Sequence, residues 1–112
     1  MARPKTRYKY EIPGTVVEIV RGICSDYERR ELAIKYSTIS GDTLRRYVEL
    51  NDAIDYALGN LEPNIREKML SDVAAGRGYD FSPCSVLIAK NTYYERKRRF
   101  FFDIAKKLNL VP

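Results

Sequence analysis

The sequence predicts an all-α fold of about five helices in one compact domain. Apolar residues recur at helical spacing in several stretches, and no stretch shows the sustained alternation of a β-strand. Glycine and proline residues separate these stretches from one another. The chain has 112 residues, of which 45% are hydrophobic, and this is enough for one core but not for two.

Residues 1–14 are predicted to form a flexible basic arm. Proline and glycine punctuate this segment, and its alternating cations make it hard to bury. Such an arm suits the minor groove or the phosphate backbone of DNA. The first ten residues contain no acid and four cations, which are Arg3, Lys5, Arg7 and Lys9.

The first helix is predicted over about residues 15–37. Apolar residues recur from 16 to 34 at close to the helical period. Thr15, followed three residues later by Glu18, matches the pattern of a capping box. Glu31 falls where the apolar stripe would continue, so we expect the helix to leave the core near that residue.

The second helix is predicted to follow a break at residues 40–42. Its apolar stripe covers residues 44–58, and Gly59 ends it. Asn51 interrupts the stripe and would need a hydrogen-bond partner if it were buried. Because only a short turn joins the two helices, we expect them to form an antiparallel hairpin over residues 15–61.

Residues 62–112 have the layout of a helix-turn-helix. Pro63 suits the first turn of a third helix, and Gly76 ends that helix. After a loop, a short helix is predicted at about 83–88, followed by a tight turn and a longer basic helix. In a helix-turn-helix, the last helix of this order enters the major groove of DNA.

The last helix is predicted to start with Asn91 or Thr92 as its cap and to run to about residue 108. At about 100° per residue, one face is apolar and carries Tyr94, Phe101, Ile104, Ala105 and Leu108. The opposite face is basic, with Arg96, Arg99, Lys106 and Lys107, and Phe100 and Phe102 flank the two faces. Asp103 lies on the basic face, where Arg99 can pair with it one turn away.

A basic helix of this kind fits three roles: a solvated surface helix, a membrane-surface helix or a DNA-reading helix. The membrane role is disfavoured because the apolar stripe is the only face that can dock the helix on its own domain. In the DNA-reading role, hydroxyl, amide and cationic groups reach phosphates or base edges, and the helix start favours an anion. The predicted DNA contacts are Lys90, Asn91, Thr92, Tyr93, Arg96, Lys97, Arg98 and Arg99.

The net charge of +5 is distributed unevenly, with basic ends and an acidic middle, a pattern common in proteins that bind polyanions. The chain has no histidine and no CxxC pair, and no paired carboxylates or glycine-rich phosphate loop stand out. We therefore expect no enzymatic activity, no metal and no other cofactor. No apolar run approaches the roughly 20 residues that span a bilayer, and the charged start lacks a secretory signal. These features predict a cytoplasmic protein, in which Cys24 and Cys84 are free thiols.

The segments "NLEPNIREKMLSDVAAG" and "IAKNTYYERKRRFFFDIAKKLNL" carry a recognisable pattern. They resemble the C-terminal half of phage-encoded ArpU/RinA-type transcriptional regulators, and are similar, more distantly, to the C-terminal promoter-reading region of sigma factors. The resemblance covers about the last 50 residues, and implies a phage or prophage regulator of late-gene promoters that acts through residues 91–99. The matching positions are Leu61, Pro63, Gly76, Thr92, Tyr93, Tyr94, Arg96, Lys97, Arg98, Ala105 and Leu108.

The leading expectation is a sequence-specific DNA-binding transcriptional regulator that reads duplex DNA with its last helix. The alternative is a phage structural, packaging or adaptor protein whose helical hairpin oligomerises. In that case Leu50, Tyr56 and Leu61 would form a second apolar face. Helix-turn-helix proteins often bind DNA as dimers, and the acidic hairpin is the predicted surface for a second copy or for RNA polymerase.

Overall fold

A computed structural model of the protein describes residues 10–79 and 88–112. Within these residues the chain forms five α-helices and no strand, so the predicted all-α class is confirmed. The helices are α1 (Gly14–Ser25), α2 (Tyr27–Lys35), α3 (Gly41–Gly59), α4 (Arg66–Ala75) and α5 (Lys90–Lys107), and a 3-10 turn at Pro63–Ile65 precedes α4. Arm residues 1–9 and most of the short helix predicted at 83–88, with Cys84, lie outside the described residues.

The first predicted helix is broken at Asp26, so the prediction of one helix over 15–37 was wrong. Asp26 has a φ of −106° and a ψ of 11°, and it separates α1 from α2. The Arg30 side chain turns back from α2 and donates to the carbonyl of Ile23 at 2.5 Å. Because the last carbonyls of a helix lack partners within it, this bond satisfies a group at the end of α1.

The start of α1 also differs from the predicted capping box. The carbonyl of Pro13 accepts the N–H groups of Val16 at 3.0 Å and Val17 at 3.1 Å, and no side chain caps the helix. Thr15 therefore lies inside the first turn, where its hydroxyl does not serve as the N-cap.

The helices α2 and α3 are antiparallel, so the hairpin predicted over residues 15–61 forms only in its α2 part, while α1 packs against α4 and α5. The Tyr27 hydroxyl donates to Asp55 at 2.6 Å, and the Arg30 Nε donates to Asn51 Oδ1 at 2.6 Å. Partner numbers fall along α3 as they rise along α2, which is the antiparallel order. Asn51 is only 2% exposed, and its amide also donates to the Tyr27 carbonyl at 3.2 Å, so its predicted need for a partner is met.

The helices α1, α3, α4 and α5 share one hydrophobic core. α1 packs against α4 and α5, and α3 packs against α5, so the hairpin region and the C-terminal half are not separate units. Leu61 is 3% exposed and belongs to this core, so its predicted place on a second apolar face was wrong. The core residues are Val16, Val20, Cys24, Ala53, Ile54, Ala57, Leu61, Ile65, Met69, Val73, Tyr93, Phe100, Phe101, Ile104 and Ala105. Cys24 is a free thiol whose burial raises its pKa to about 12.

Gly76 ends α4, as predicted, in the left-handed conformation with a φ of 72°. Most residues with a side chain are strained there, and the Arg21 guanidinium lies against the position that a β-carbon would occupy. Glycine at this position therefore leaves room for the tip of the Arg21 side chain beside the end of α4.

Candidate nucleic-acid interface

The helix α5 begins earlier than the sequence predicted. The carbonyl of Ala89 accepts the N–H of Tyr93 at 2.9 Å, so Ala89 is the N-cap and neither Asn91 nor Thr92 fills that role. No side chain caps this helix start. Lys90 and Asn91 are exposed and Thr92 is partly exposed. A helix start of this kind carries N–H groups and a partial positive charge that favour an anion.

Tyr93 does not face solvent, so the prediction that its hydroxyl reaches a phosphate was wrong. The side chain is fully buried, and its hydroxyl donates to Asp72 Oδ2 at 2.6 Å. Burial, followed by the bond to Asp72, raises the pKa of Tyr93 far above its ordinary value. Tyr93 therefore fixes the first turn of α5 onto α4.

Asp72 is the centre of a buried polar network, which we define as Lys68, Asp72, Arg77 and Tyr93. The Lys68 ammonium lies 2.7 Å from Asp72 Oδ2, and the Arg77 Nε lies 3.3 Å from Oδ1. Burial alone would raise the pKa of Asp72, but the hydrogen bonds from Lys68 and Tyr93 and the nearby cations hold it below the ordinary value. The carboxylate therefore stays charged, and it ties the end of α4 to the start of α5.

The buried face of α5 is wider than the predicted stripe and is rotated from it. Phe100 is fully buried, although the sequence placed it beside the stripe, whereas Tyr94 and Leu108 are only partly buried. From Asp103 round to Ala105, the buried residues cover about 200° of the circumference at about 100° per residue. The reason is that α5 packs against both α1 and α3 and also meets α4 through Tyr93.

Two of the predicted DNA-binding cations are held by other parts of the fold. Arg96 forms a two-pronged ion pair with Glu62, with Nε–Oε1 and Nη2–Oε2 distances of 3.0 and 2.9 Å. The ammonium of Lys97 donates to the Arg77 carbonyl at 2.9 Å, and burial lowers the pKa of Lys97. A phosphate would therefore have to compete with Glu62 for Arg96, and the contact of Arg96 with DNA stays a prediction.

The predicted pairing of Arg99 with Asp103 is confirmed. Arg99 Nε lies 3.3 Å from Asp103 Oδ2, and the Asn60 amide donates to the same oxygen at 2.9 Å. Asp103 is only 8% exposed, so this pair lies at the edge of the core and not on an open basic face. Arg98 is partly exposed.

The arm meets α5 at Tyr10, a contact that the sequence did not reveal. The ring of Tyr10 lies 5.3 Å from the ring of Phe102, measured between centroids, at an interplanar angle of 56°. The guanidinium carbon of Arg99 lies 5.7 Å from the Tyr10 centroid. We name Tyr10, Arg99 and Phe102 the arm-root cluster. Phe102, an apolar residue on the outer side of a basic helix, was the feature of the sequence that could have predicted a residue packing over it.

The polar network was also missed, although a signal for it was present. Lys68 and Asp72 are four residues apart on α4, next to the apolar stripe that contains Met69 and Val73. An ion pair at that spacing beside a buried stripe indicates a buried pair that needs a third polar partner. The partner proved to be Tyr93, which is far away in sequence.

Within residues 10–79 and 88–112, no group of three or more acidic, cysteine or histidine side chains is arranged to hold a metal ion. No helix in this part of the chain has both the length and the apolar character needed to cross a membrane. No protein-family model, curated protein or solved structure matches the chain significantly.

Proposed function

We propose that this chain is a duplex-DNA-binding transcriptional regulator without enzymatic activity, and that α5 is its recognition helix. The observation that carries the proposal is the charge of α5, which has seven lysines or arginines and two acids among 18 residues. The rest of the described chain has nine lysines or arginines and 12 acids. A polyanion would therefore be attracted to α5 in preference to the other described surfaces.

We take the exposed start of α5, at Lys90 and Asn91, and the partly exposed Arg98 as the proposed DNA-binding set. Asn91 and Arg98 are two helical turns apart and lie on the side opposite the buried Tyr93. In a major groove, the Asn91 amide suits the edge of adenine, and Arg98 suits a phosphate or guanine. Lys90 and the uncapped N–H groups of the same turn favour a backbone phosphate.

The resemblance to ArpU/RinA-type regulators supports the same role. Its pattern spans α4 and α5, and these are the two helices that the polar network joins. In a DNA-binding protein, the network would hold the recognition helix at a fixed angle to the domain, and base readout needs that fixed orientation.

The experiment is a titration of labelled duplex with the full chain at several salt concentrations. We expect affinity to fall steeply with salt, because each phosphate neutralised contributes about −0.9 to the slope of log affinity against log salt. Duplexes selected from a random pool should bind at least about 10³-fold more tightly than unselected duplexes, as specific sites do. Failure to bind any duplex at low salt would contradict the proposal.

Two variants test the proposed contacts against a matched control. Arg98→Gln should reduce the magnitude of the salt slope by about one, and Asn91→Ala should relax base preference at a cost of about 1–3 kcal/mol. The control is Lys35→Gln, which removes an exposed cation from the last turn of α2, far along the chain from α5. If all three variants bind like the wild type, α5 is not the recognition helix.

The alternative role, as a phage structural or adaptor protein that oligomerises, is favoured by exposed apolar side chains on the hairpin. Leu32 in α2 is 55% exposed, Tyr36 just after α2 is 64% exposed, and Tyr56 on α3 is 49% exposed. Such residues are candidates for an interface between copies. Light scattering of the purified chain separates the two roles: a large ring without duplex affinity supports assembly, and a monomer or dimer argues against it.

A further inference from the structure

A small pocket opens where α1 and α5 meet the end of α4, and its volume is about 190 Å³. Gly76 at its edge is exposed, and Arg21 and Lys97 are partly exposed, so the pocket is open to solvent. Pockets that hold drug-sized ligands measure about 300–1,000 Å³, so a ligand for this one must be smaller. The lining residues are Val17, Arg21, Val73, Gly76, Lys97 and Phe101.

Two cationic side chains of the pocket come from different helices and meet at the end of α4. The Arg21 guanidinium lies against Gly76, and the Lys97 ammonium donates to the carbonyl of the next residue, Arg77, at 2.9 Å. The end of a helix carries a partial negative charge of about one half, which attracts a cation to this place. Two full positive charges exceed that partial charge, so the helix end alone does not balance them.

The carboxylates near these two cations do not supply the missing negative charge. Arg21 pairs with Glu18 at 3.2 Å, but the Glu18 side chain is 71% exposed, and such pairs are weak. Asp72 is already bonded within the buried polar network. Burial lowers the pKa of Lys97, the attraction of Asp72 only partly offsets this, and the nearby cations Arg21 and Lys68 lower it further. The fold therefore disfavours the charged form of Lys97, and an added anion would favour it.

The two cations also have hydrogen-bond donors to spare. The Nε of Arg21 is buried from solvent and has no hydrogen-bond partner among the described residues. A buried donor without a partner is costly, so an acceptor that reaches it binds favourably. The ammonium of Lys97 has three donors, and the hydrogen bond that it makes in this part of the chain goes to a neutral carbonyl. Spare donors together with spare positive charge suit a ligand with anionic oxygens.

The remaining walls of the pocket are apolar. Val73 and Phe101 belong to the hydrophobic core, and Val17 is partly buried against it. An apolar group placed beside these side chains is removed from water, which favours binding. A ligand with an oxyanion at one end and a short hydrocarbon chain at the other therefore fits the lining better than an inorganic anion does.

We infer that this pocket is a binding site for a small aliphatic carboxylate. Its oxyanion pairs with Arg21 and Lys97. Its hydrocarbon chain packs against Val17, Val73 and Phe101. The inference goes beyond the proposed function and does not depend on it, because no residue of the pocket belongs to the proposed DNA-binding set. If the two cations served only to stabilise the end of α4, the pocket would show no saturable affinity for a carboxylate.

The first test is a titration of the full chain with sodium butyrate at constant ionic strength, followed by the amide shifts in nuclear magnetic resonance spectra. We expect saturable shifts at the pocket residues, with a dissociation constant on the order of 1 mM. Affinity should rise about fourfold for each methylene from acetate to butyrate. Butyramide, which has the same shape without the charge, should bind at least about tenfold more weakly. Inorganic phosphate should also bind more weakly than butyrate.

The second test uses Arg21→Met and Lys97→Met, which each remove a charge and keep most of the length of the side chain. Each should reduce butyrate affinity at least about tenfold, because a hydrogen-bonded charge is lost. The matched control is Lys35→Met, which removes an exposed cation from the last turn of α2 and should bind butyrate like the wild type. Should Lys97→Met fail to fold, Arg21→Met, at a side chain that is 40% exposed, still decides the matter.

Several results would overturn the inference. Shifts that do not saturate, or that map to other surfaces, exclude the site. Equal affinity for butyramide and butyrate, or unchanged affinity in either folded methionine variant, excludes the pairing with the two cations. Phosphate that binds at least as tightly as butyrate excludes the aliphatic carboxylate as the ligand class. Since no step uses DNA, failure here leaves the proposed function standing, and a chain that binds no duplex leaves this inference standing.

Discussion

The helix pairs α2–α3 and α4–α5 each bury a charged side chain, but they compensate the charge differently. Arg30 in the hairpin is 3% exposed and bonds neutral oxygens of Asn51 and Ile23, while its nearest carboxylate, Asp26, is 3.7 Å away. Asp72 in α4 is fully buried and is paired with Lys68 and Arg77.

The pKa shifts of Arg30 and Asp72 reflect this difference in how their charges are compensated. Burial lowers the pKa of Arg30, which means that the fold disfavours its charged form. The pKa of Asp72 is also lowered, but for a carboxyl group this means that the fold favours the charged form. The firmly compensated charge is the one that holds α5, the helix proposed to read DNA. The fold therefore compensates the buried charge at α5 more completely than the buried charge in the hairpin.

The largest expected effect is that of Asp72→Ala. It leaves Lys68 buried without its carboxylate, and breaking a buried pair in this way costs about 3–5 kcal/mol of unfolding free energy. Urea unfolding measures this cost. The double variant Lys68→Met/Asp72→Ala should be less destabilised than Asp72→Ala alone, because no unpaired charge remains. A loss below about 1 kcal/mol for Asp72→Ala would contradict the proposed compensation.

The second effect is the response of stability to acid. Because the pKa of Asp72 is lowered in the fold, its contribution is complete above the unfolded value of about 3.9 and is lost as pH falls through the folded value. The wild type should therefore lose stability below about pH 4 more steeply than Asp72→Ala. Urea unfolding of both proteins at a series of pH values tests this, and parallel curves would show that Asp72 is not responsible.

The third effect is that of Tyr93→Phe, which removes a hydroxyl and keeps the buried ring. A hydrogen bond to a charged group contributes about 1.5–3 kcal/mol, so we expect a loss in that range. Urea unfolding gives its size. Tyr27→Phe, which removes the exposed bond to Asp55 in the hairpin, is the matched control and should cost less.

The fourth effect is that of Arg30→Met in the hairpin. The apolar side chain avoids burying a charge but leaves the Asn51 and Ile23 oxygens without this donor, so we expect a loss of about 1–2 kcal/mol. Denaturant unfolding compares it directly with Asp72→Ala. If Arg30→Met lowered the unfolding free energy more than Asp72→Ala, the better compensated charge would be that of the hairpin and not that of the α4–α5 pair.

The smallest effect on stability is expected for Glu62→Gln. The Arg96–Glu62 pair is partly exposed, and such pairs contribute about 0–1 kcal/mol. Releasing Arg96 should nevertheless increase duplex affinity several-fold if Arg96 can then reach a phosphate. Duplex titration measures this change, and unchanged affinity would exclude Arg96 from the interface.

The features that the sequence predicted correctly are local. The end of α3, the stop at Gly76 and the pairing of Arg99 with Asp103 each depend on residues within a few positions of one another. Asn51 was predicted to need a partner, but the identity of that partner, Arg30, depends on how the hairpin closes. Local periodicity and residue type predict where a helix ends and which residue needs a partner. They do not identify a partner that is distant in the sequence.

The features that the sequence did not predict depend on distant contacts. The burial of Tyr93 depends on Asp72, 21 positions away, and the ion pair of Arg96 depends on Glu62, 34 positions away. The break at Asp26 is stabilised by the packing of α2 on α3, which overrides the tendency of the stripe to continue. The sequence therefore predicted which helix carries the candidate site. Which side chains of that helix face outward could be read only from the folded structure.

The break at Asp26 makes α2 the helix that we expect to unfold locally before the rest of the domain. It leaves α2 as a nine-residue helix whose one buried residue is Arg30. Segments with few buried apolar contacts exchange their amide hydrogens through partial unfolding long before the whole domain opens. The amides of α2 should therefore exchange sooner than those of α4 and α5. The molecule would then spend brief intervals with α2 detached, its α3 surface uncovered and α5 still in place.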